Sequence, residues 1–367
     1  MKEEKYTCDI CHEEHDVSEL TYFDESYLCE DCLRRETFIC RDCGDRHWND
    51  DSADGDLCQT CYDEDYVRCE RCDAVIHYDD ACYHEDEEYH DYPYCRDCFD
   101  MDEIIHDYYY KPEPIFYGDG PRYLGVELEL DDGGENEFCA SKLLEIANNG
   151  CERMYIKHDG SLDDGFECVT HPMTLDYHIN QMPWKAILNK AVAKGYLSHQ
   201  AGTCGLHVHI SRNALGVNYE EQEATIAKIL YFYEKFWNEI LTFSRRTESQ
   251  AEHWARRYGG GIINPKETLK HAKNSHMGRY AAVNLENEAT IEMRIFRGTL
   301  KYSTFIATLQ MVDEICKVAI SLSDEFMQGL TWLDFVKGIA DGKQELINYL
   351  KEKRLYVNEP IRNEVEI

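Results

Sequence analysis

Gly125-Val126-Glu127-Leu128-Glu129-Leu130 is a short apolar run that carries two carboxylates two positions apart. Side chains of a strand alternate faces, so Glu127 and Glu129 project together while Val126, Leu128 and Leu130 pack on the other side. Like charges side by side on a sheet face have two readings. Either the face is a solvated edge, or a hard cation such as Mg²⁺ or Mn²⁺ sits between the carboxylates and takes their oxygens as ligands. These six residues leave both open.

Three further stretches repeat the alternation. In Gly205-Leu-His207-Val-His209-Ile-Ser211 two imidazoles and a hydroxyl share one strand face, suited to a metal or a phosphate. In Thr290-Ile-Glu292-Met-Arg294-Ile-Phe-Arg297 an acid stands beside a guanidinium. Lys157-His-Asp159-Gly160-Ser161-Leu, followed by Phe166-Glu167-Cys-Val-Thr-His171-Pro172, is a glycine turn that leads to another strand-borne carboxylate. Each has a plainer explanation: hydrogen-bonded buried histidines, an internal salt bridge, a structural hairpin. Around these strands the patterning predicts helices over 136–148, 184–194 with Pro183 at its start, 220–243 and 303–321, and a helical tail. Further strands are expected at 153–157, 166–169, 280–285 and 290–296. The class is α+β with a mainly antiparallel sheet.

The first hundred residues have a different grammar. Six C-x2-C pairs occur at Cys8/Cys11, Cys29/Cys32, Cys40/Cys43, Cys58/Cys61, Cys69/Cys72 and Cys95/Cys98, and their spacing groups them into three couples, with a histidine (His15, His47, His77) after each opening pair. Two such knuckles supply zinc's four tetrahedral ligands, so three structural Zn²⁺ sites are expected, with consecutive pairing favoured and cross-bracing left open. All four ligands come from protein, which excludes substrate at the metal and makes zinc the source of folding energy for short polar segments. The modules resemble zinc ribbons and treble clefs.

Charge is as uneven as cysteine. Of a formal −34, residues 1–110 hold −26, from 9 Lys and Arg against 35 Asp and Glu. Such a front end repels nucleic-acid backbones. With no apolar run of membrane length and no hydrophobic signal core, we expect no membrane span and a cytoplasmic protein. Residues 245–279 are the exception, with eight basic against three acidic side chains and Gly259-Gly260-Gly261 among them. They suggest a mobile lid for an anionic ligand or, equally, a solvated helical hairpin.

Taken in order, G-V-E-L-E, K-H-D-G-S-L with F-E-C-V-T-H-P, C-G-L-H-V-H-I-S, and R-Y-A-A-V-N-L with T-I-E-M-R-I-F resemble the glutamine synthetase-like carboxylate-amine ligases, most closely their putative amidoligase branch. The resemblance runs from about Arg122 to Glu314. It implies a curved antiparallel sheet whose concave face holds ATP and divalent ions, and a reaction that phosphorylates a carboxylate and then lets an amine displace the phosphate. By it Glu127, Glu129, Glu167, His207 and Glu292 are ligands of Mg²⁺ or Mn²⁺, and His209 and Ser211 contact nucleotide. Arg279, Arg294 and Arg297 neutralise the phosphoryl group, and Asp159 positions the amine. One acid, Glu167, stands where the synthetases have two, and their ammonia-binding elements are not recognisable.

The expected organisation is therefore zinc modules over 1–101, a breaker-rich linker over 102–121, a glutamine synthetase-like domain over 122–325 and a helical tail over 326–367. The expected partners are a carboxylate and an amine substrate, peptide or protein by analogy with other large binding modules. A non-catalytic zinc adaptor and a metal-dependent hydrolase built on H-x-H are the rival functions.

Overall fold

In a computed structural model, which describes residues 5–83, 92–99, 104–259, 264–275 and 277–357, the chain divides into two compact units, 1–102 and 103–367.

The first unit repeats one motif three times. A short hairpin carries the opening cysteine pair in its turn, as in Lys5–Thr7 paired with Glu14–Asp16. A second extended pair then leads into a brief helix, Glu30–Glu36 or Gln59–Asp65, with one closing cysteine at its N-cap and the other inside it. The residue after each opening pair has a left-handed backbone, at His12, Gly44 and Asp73. That turn lets the amide of the same residue bond back to the carbonyl of Cys8, Cys40 or Cys69. The cores are small, for example Leu28 with the cysteines of the first repeat and Leu57 with those of the second. His15, His47 and His77 are half-buried on the return strands, and His47 and His77 pack against Phe38 and Tyr66 of the facing strands.

The second unit is a mixed α/β structure around a seven-stranded sheet. Its strands are β1 (Ile105–His106), β2 (Leu124–Leu130), β3 (Met154–Lys157), β4 (Phe166–Thr170), β5 (Leu206–Ser211), β6 (Val283–Asn284) and β7 (Thr290–Met293). Their order is β1-β3-β4-β2-β5-β7-β6, antiparallel throughout except for β1 beside β3. The central pair, β2 and β5, comes from the two stretches with the clearest alternation. Val126, Leu128, Leu130, Leu206, Val208 and Ile210 are all buried on one face.

Helices cover that face: α1 (Glu137–Asn148), α2 (Leu175–Asn180), α3 (Trp184–Ala193), α4 (Tyr219–Lys235), α5 (Trp237–Ser244), α6 (Glu248–Trp254), α7 (Pro265–Asn274) and α8 (Tyr302–Ser321). Asn136 caps α1 by accepting from the Cys139 amide, and Pro183 precedes α3 as its sequence suggests. The helix expected over 220–243 is two, because the backbone turns out of helical geometry at Phe236, whose ring packs against Phe232 and Trp332.

Two parts of the chain do more than their sequence suggests. The stretch read as a linker supplies β1, a strand too short to show a period. The residues read as a tail form α9 (Asp324–Gly329), α10 (Trp332–Lys337) and α11 (Gln344–Glu352), whose Phe335, Val336, Leu346 and Leu350 are buried in the main core. The lid glycines Gly260 and Gly261 lie outside the described residues, but α7 on their far side packs along α4.

Candidate functional site

Strand register turns four separate motifs into one polar face. Glu129 stands opposite Glu167, which stands opposite Lys157; Glu127 stands opposite His207; His209 stands opposite Glu292, which stands opposite Asn284. Directly opposed residues share a face, as do residues two apart, so all of these side chains leave the sheet on the side away from the core. They line a cavity of about 940 Å³.

The ligand-type atoms are close together. His207 Nδ1 lies 3.3 Å from Glu127 Oε2 and 3.6 Å from Glu292 Oε1, and His207 Nε2 lies 3.6 Å from Glu129 Oε1. Glu127, His207 and Glu292 each offer an atom within 4.8 Å of the others, the spacing of a shared metal. His209 Nε2 lies 3.1 Å from Glu127 Oε1, in ion-pair range but off the line of a hydrogen bond. Gly205 has a defined role, since its amide donates to Glu129 and a Cβ there would overlap the His207 ring.

Cations stand against the acids. Lys157 Nζ is 3.1 Å from Glu167, and Arg294 is 2.6 Å from Glu292, which also accepts from Asn284 at 2.8 Å. Arg246, at the C-terminal end of α5, is buried in the wall; its Nε donates to the Ile295 carbonyl, while Nη1 has no acceptor among the described residues. Arg294 Nε is also buried without an acceptor among the described residues.

This crowding separates the carboxyls. Burial pushes Glu167 well above the usual carboxylate range, the Glu127 charge adds to the rise, and Lys157 offsets only part of it. Burial likewise raises Glu129, against the His207 charge and the Gly205 amide. Burial acts on Glu127 in the same direction, but His209 and His207 outweigh it and hold Glu127 well below. Three acids on one buried face thus differ in how readily they ionise.

Most of the residues expected from sequence meet here. Glu127, Glu129, Glu167, His207 and Glu292 line the cavity, as do His209, Ser211, Asp159, Arg279 and Arg294. Arg297 does not line it. Strand β7 ends at Met293, and Arg297 is also an odd number of residues from Glu292, so alternation does not carry it onto the face. Its amide donates to Ser244 O instead, and its carbonyl accepts from Arg245.

Arg256 and Arg257, two of the basic side chains of the 245–279 segment, are also absent from the lining. Arg257 is 2.9 Å from Glu234, a buried acid of α4 that also accepts from the Tyr258 and Gly259 amides. The partly exposed Arg257 is thus tied to a buried acid of its own fold.

Sequence reasoning passed over Lys157, Arg246 and Tyr108. Lys157 sits within a quoted motif, and strand alternation alone would have put it on the face of Tyr155 and Asp159, toward the cavity. Arg246 follows a helix end, where no periodicity applies. Tyr108 comes from the supposed linker, lies under Lys157 and accepts a hydrogen bond from Arg279 at its hydroxyl oxygen.

In the first unit the sulfurs gather as three sets, Cys8/Cys11/Cys29/Cys32, Cys40/Cys43/Cys58/Cys61 and Cys69/Cys72/Cys95/Cys98, which is consecutive pairing. Although burial opposes it, backbone amides bring Cys8 and Cys40 down to about 6 and Cys69 to about 7. Burial and neighbouring sulfurs push Cys32 up to about 12, and the last thiol of the third set rises for the same reasons. Full ionisation of such a set requires a cation among the sulfurs, and the tetrathiolate donor chemistry fits Zn²⁺. No described helix is long and apolar enough to cross a membrane.

Comparison with curated protein sequences finds no match. Among solved structures, a bifunctional glutathione synthetase from Pasteurella multocida is similar at 13% identity and a TM-score of 0.32, over 65% of this chain and 45% of that one. The chain thus spans less than half the length of that relative. Residues 145–316, which hold the cavity's Glu167, His207, Glu292 and Arg294, match the family model described as putative amidoligase enzyme, the family that the motifs resemble.

Proposed function

We propose that the second unit is an ATP-dependent carboxylate-amine ligase with a glutamine synthetase-like sheet, forming an amide through an acyl phosphate. The observation that carries this reading is the convergence of Glu127, Glu129, Glu167, His207 and Glu292 with Arg246, Arg279 and Arg294 around one cavity. Acids alone would repel a triphosphate, and arginines alone would need no acids. Together they suit a metal-bound nucleotide.

Glu127, His207, Glu292 and Glu129 would hold the divalent ion, a mixed imidazole and carboxylate set that fits Mn²⁺ as well as Mg²⁺. Mg-ATP, when bound, supplies the phosphoryl group and the driving force. The chain's own residues do the rest. Arg246 and Arg294 carry buried donors without acceptors among the described residues, suited to the oxygens of a transferring phosphoryl group. His209 and Ser211, which line the same cavity, would contact the nucleotide. Lys157 holds Glu167, which would otherwise be free to take a second cation. Asp159, whose Oδ1 accepts from the Ser161 amide at 2.7 Å, is fixed to orient an incoming amine and take its proton. A carboxylate oxygen bonds to phosphorus as ADP leaves, and the amine nitrogen then bonds to the acyl carbon as phosphate leaves.

The zinc modules, acidic and built around four-cysteine clusters, serve in this reading to recruit a peptide or protein substrate. The test is trapping: peptide carboxylates, ATP, Mg²⁺ and hydroxylamine should give acyl hydroxamates and ADP in equal amounts. Peptide cleavage without ATP would favour the hydrolase instead, and absence of both activities would favour an adaptor.

A further inference from the structure

The three zinc modules differ beside their sulfur clusters. In each, the amide of the first cysteine donates to a carbonyl in the returning chain, Cys8 to Glu13, Cys40 to Asp45 and Cys69 to Ala74, and these bonds set the repeats in register. Two residues beyond those carbonyls stand His15, His47 and Ile76, paired across their hairpins with Tyr6, Phe38 and Val67. His77 is therefore one position out of step. Alternation turns it to the opposite face, against the Tyr66 ring, and Ile76 packs on the third sulfur cluster in its place. The first two modules thus pair an acid with an imidazole where the third has Ala74 and Ile76.

The two imidazoles are not in the same state. His47 Nε2 lies 3.7 Å from Cys43 Sγ, within hydrogen-bond range of sulfur. His15 Nε2 is buried and has no partner among the described residues. Around it, Cys11, Glu13 and His15 each offer a ligand atom within 4.8 Å of the others. Cys11 also belongs to the four-cysteine set, with its sulfur 3.9 Å from that of Cys29, and it is half-exposed where Cys8, Cys29 and Cys32 are buried. Glu13 is exposed and forms no ion pair with a basic side chain among the described residues; Arg35 Nη2 lies 3.8 Å from the Cys32 sulfur instead.

We propose that Cys11, Glu13 and His15 bind a second, exchangeable zinc-class cation beside the structural one, with the Cys11 sulfur as the bridge. A zinc ion neutralises only half the charge of four thiolates, so the cluster stays negative, and the Glu13 carboxylate adds to that charge. A thiolate bound to one zinc ion keeps lone pairs for another. Sulfur, imidazole nitrogen and carboxylate oxygen together suit zinc rather than Mg²⁺. Three protein ligands leave a position for water, so this ion exchanges while the enclosed one stays. In the second module Asp45 is one methylene shorter than Glu13, and Cys43 already engages the imidazole. The third module has neither ligand, so the repeats provide their own controls.

The test takes the full-length chain, dialysed until it holds one zinc ion for each of its three four-cysteine sets, and adds Co²⁺ while zinc release is followed with a chelating dye. A sulfur-to-cobalt charge-transfer absorption requires a thiolate ligand. It therefore separates this site from the acidic cavity, whose lining contains no cysteine. Wild type should gain the absorption with one Co²⁺ and release no zinc. Glu13→Gln and His15→Gln should lose it while keeping their structural zinc, and His47→Gln should behave as wild type. Zinc released in step with the absorption would mark exchange into a four-cysteine set and overturn the proposal. So would absorption that survives His15→Gln, or none in wild type. A His15→Gln chain that sheds a structural zinc ion would also overturn it, because the imidazole would then serve that ion.

Discussion

Lys157→Met would remove the one cation among the described residues within ion-pair distance of Glu167 and leave that carboxylate facing Glu129 and near Glu127 on a buried face. The pair is 3.1 Å apart, and the side chains are 15% and 3% exposed. At an effective dielectric constant near 20 the attraction is about 5 kcal/mol, and breaking a buried pair by deleting one member costs about 3 to 5 kcal/mol. For a unit of this size that lowers the melting temperature by roughly 10 °C.

The sign of the pH dependence is fixed. Glu167 already titrates above its unfolded value, so its contribution to stability is present at low pH and is lost as pH rises through the folded value. The variant should therefore lose most at pH 8 and least at pH 5. A divalent cation that takes the place of the ammonium should recover part of the loss, about 2.7 kcal/mol at a hundredfold excess over its dissociation constant. Thermal melts of the zinc-loaded chain at both pH values, with and without Mg²⁺ or Mn²⁺, measure this. A variant as stable as wild type at pH 8, or a loss that no divalent cation touches, would refute the picture of three carboxylates held together by positive charge.

Other regions make independent predictions. His178, fully buried between the Leu124 carbonyl and the Trp184 indole, is pushed by burial down to about 4. Its folded value lies below its unfolded one, so stability is present above about 6.5 and is lost as pH falls; between pH 7 and 5 the loss is about 2 kcal/mol. His178→Gln should flatten the pH dependence of the melt in that window relative to wild type. Gly205→Ala should displace the His207 ring and weaken Mn²⁺ binding about tenfold in a titration, with the fold preserved by circular dichroism. Arg257→Ala should act through the fold, because it strands Glu234; we expect a loss of about 2 to 3 kcal/mol in stability and unchanged nucleotide affinity, the reverse of a lid residue.

The legibility of the sequence follows physical range. The C-x2-C couples and the alternation of Glu127 and Glu129, or of His207 and His209, are local patterns, so the sulfur clusters and the strand faces could be read from spacing. The pairing of Lys157 with Glu167 depends on register between strands, which spacing within one strand does not contain. The same holds for Arg257 and Glu234, 23 residues apart, which turned an apparent lid charge into an internal tie. Ile105–His106 is too short for a period, so the chain that brings Tyr108 to the cavity passed for a linker. Arg246 and Arg297 follow the ends of regular elements, where alternation stops being a guide to direction.

The most direct measurement is calorimetric titration of the zinc-loaded chain with a non-hydrolysable ATP analogue and Mg²⁺, wild type beside Glu127→Gln/Glu129→Gln. Micromolar binding that requires the divalent ion and disappears in a folded double variant is the predicted result. An intact wild type that binds no nucleotide, or a double variant that binds as well as wild type, would contradict the account and leave the acidic row an internally paired sheet face.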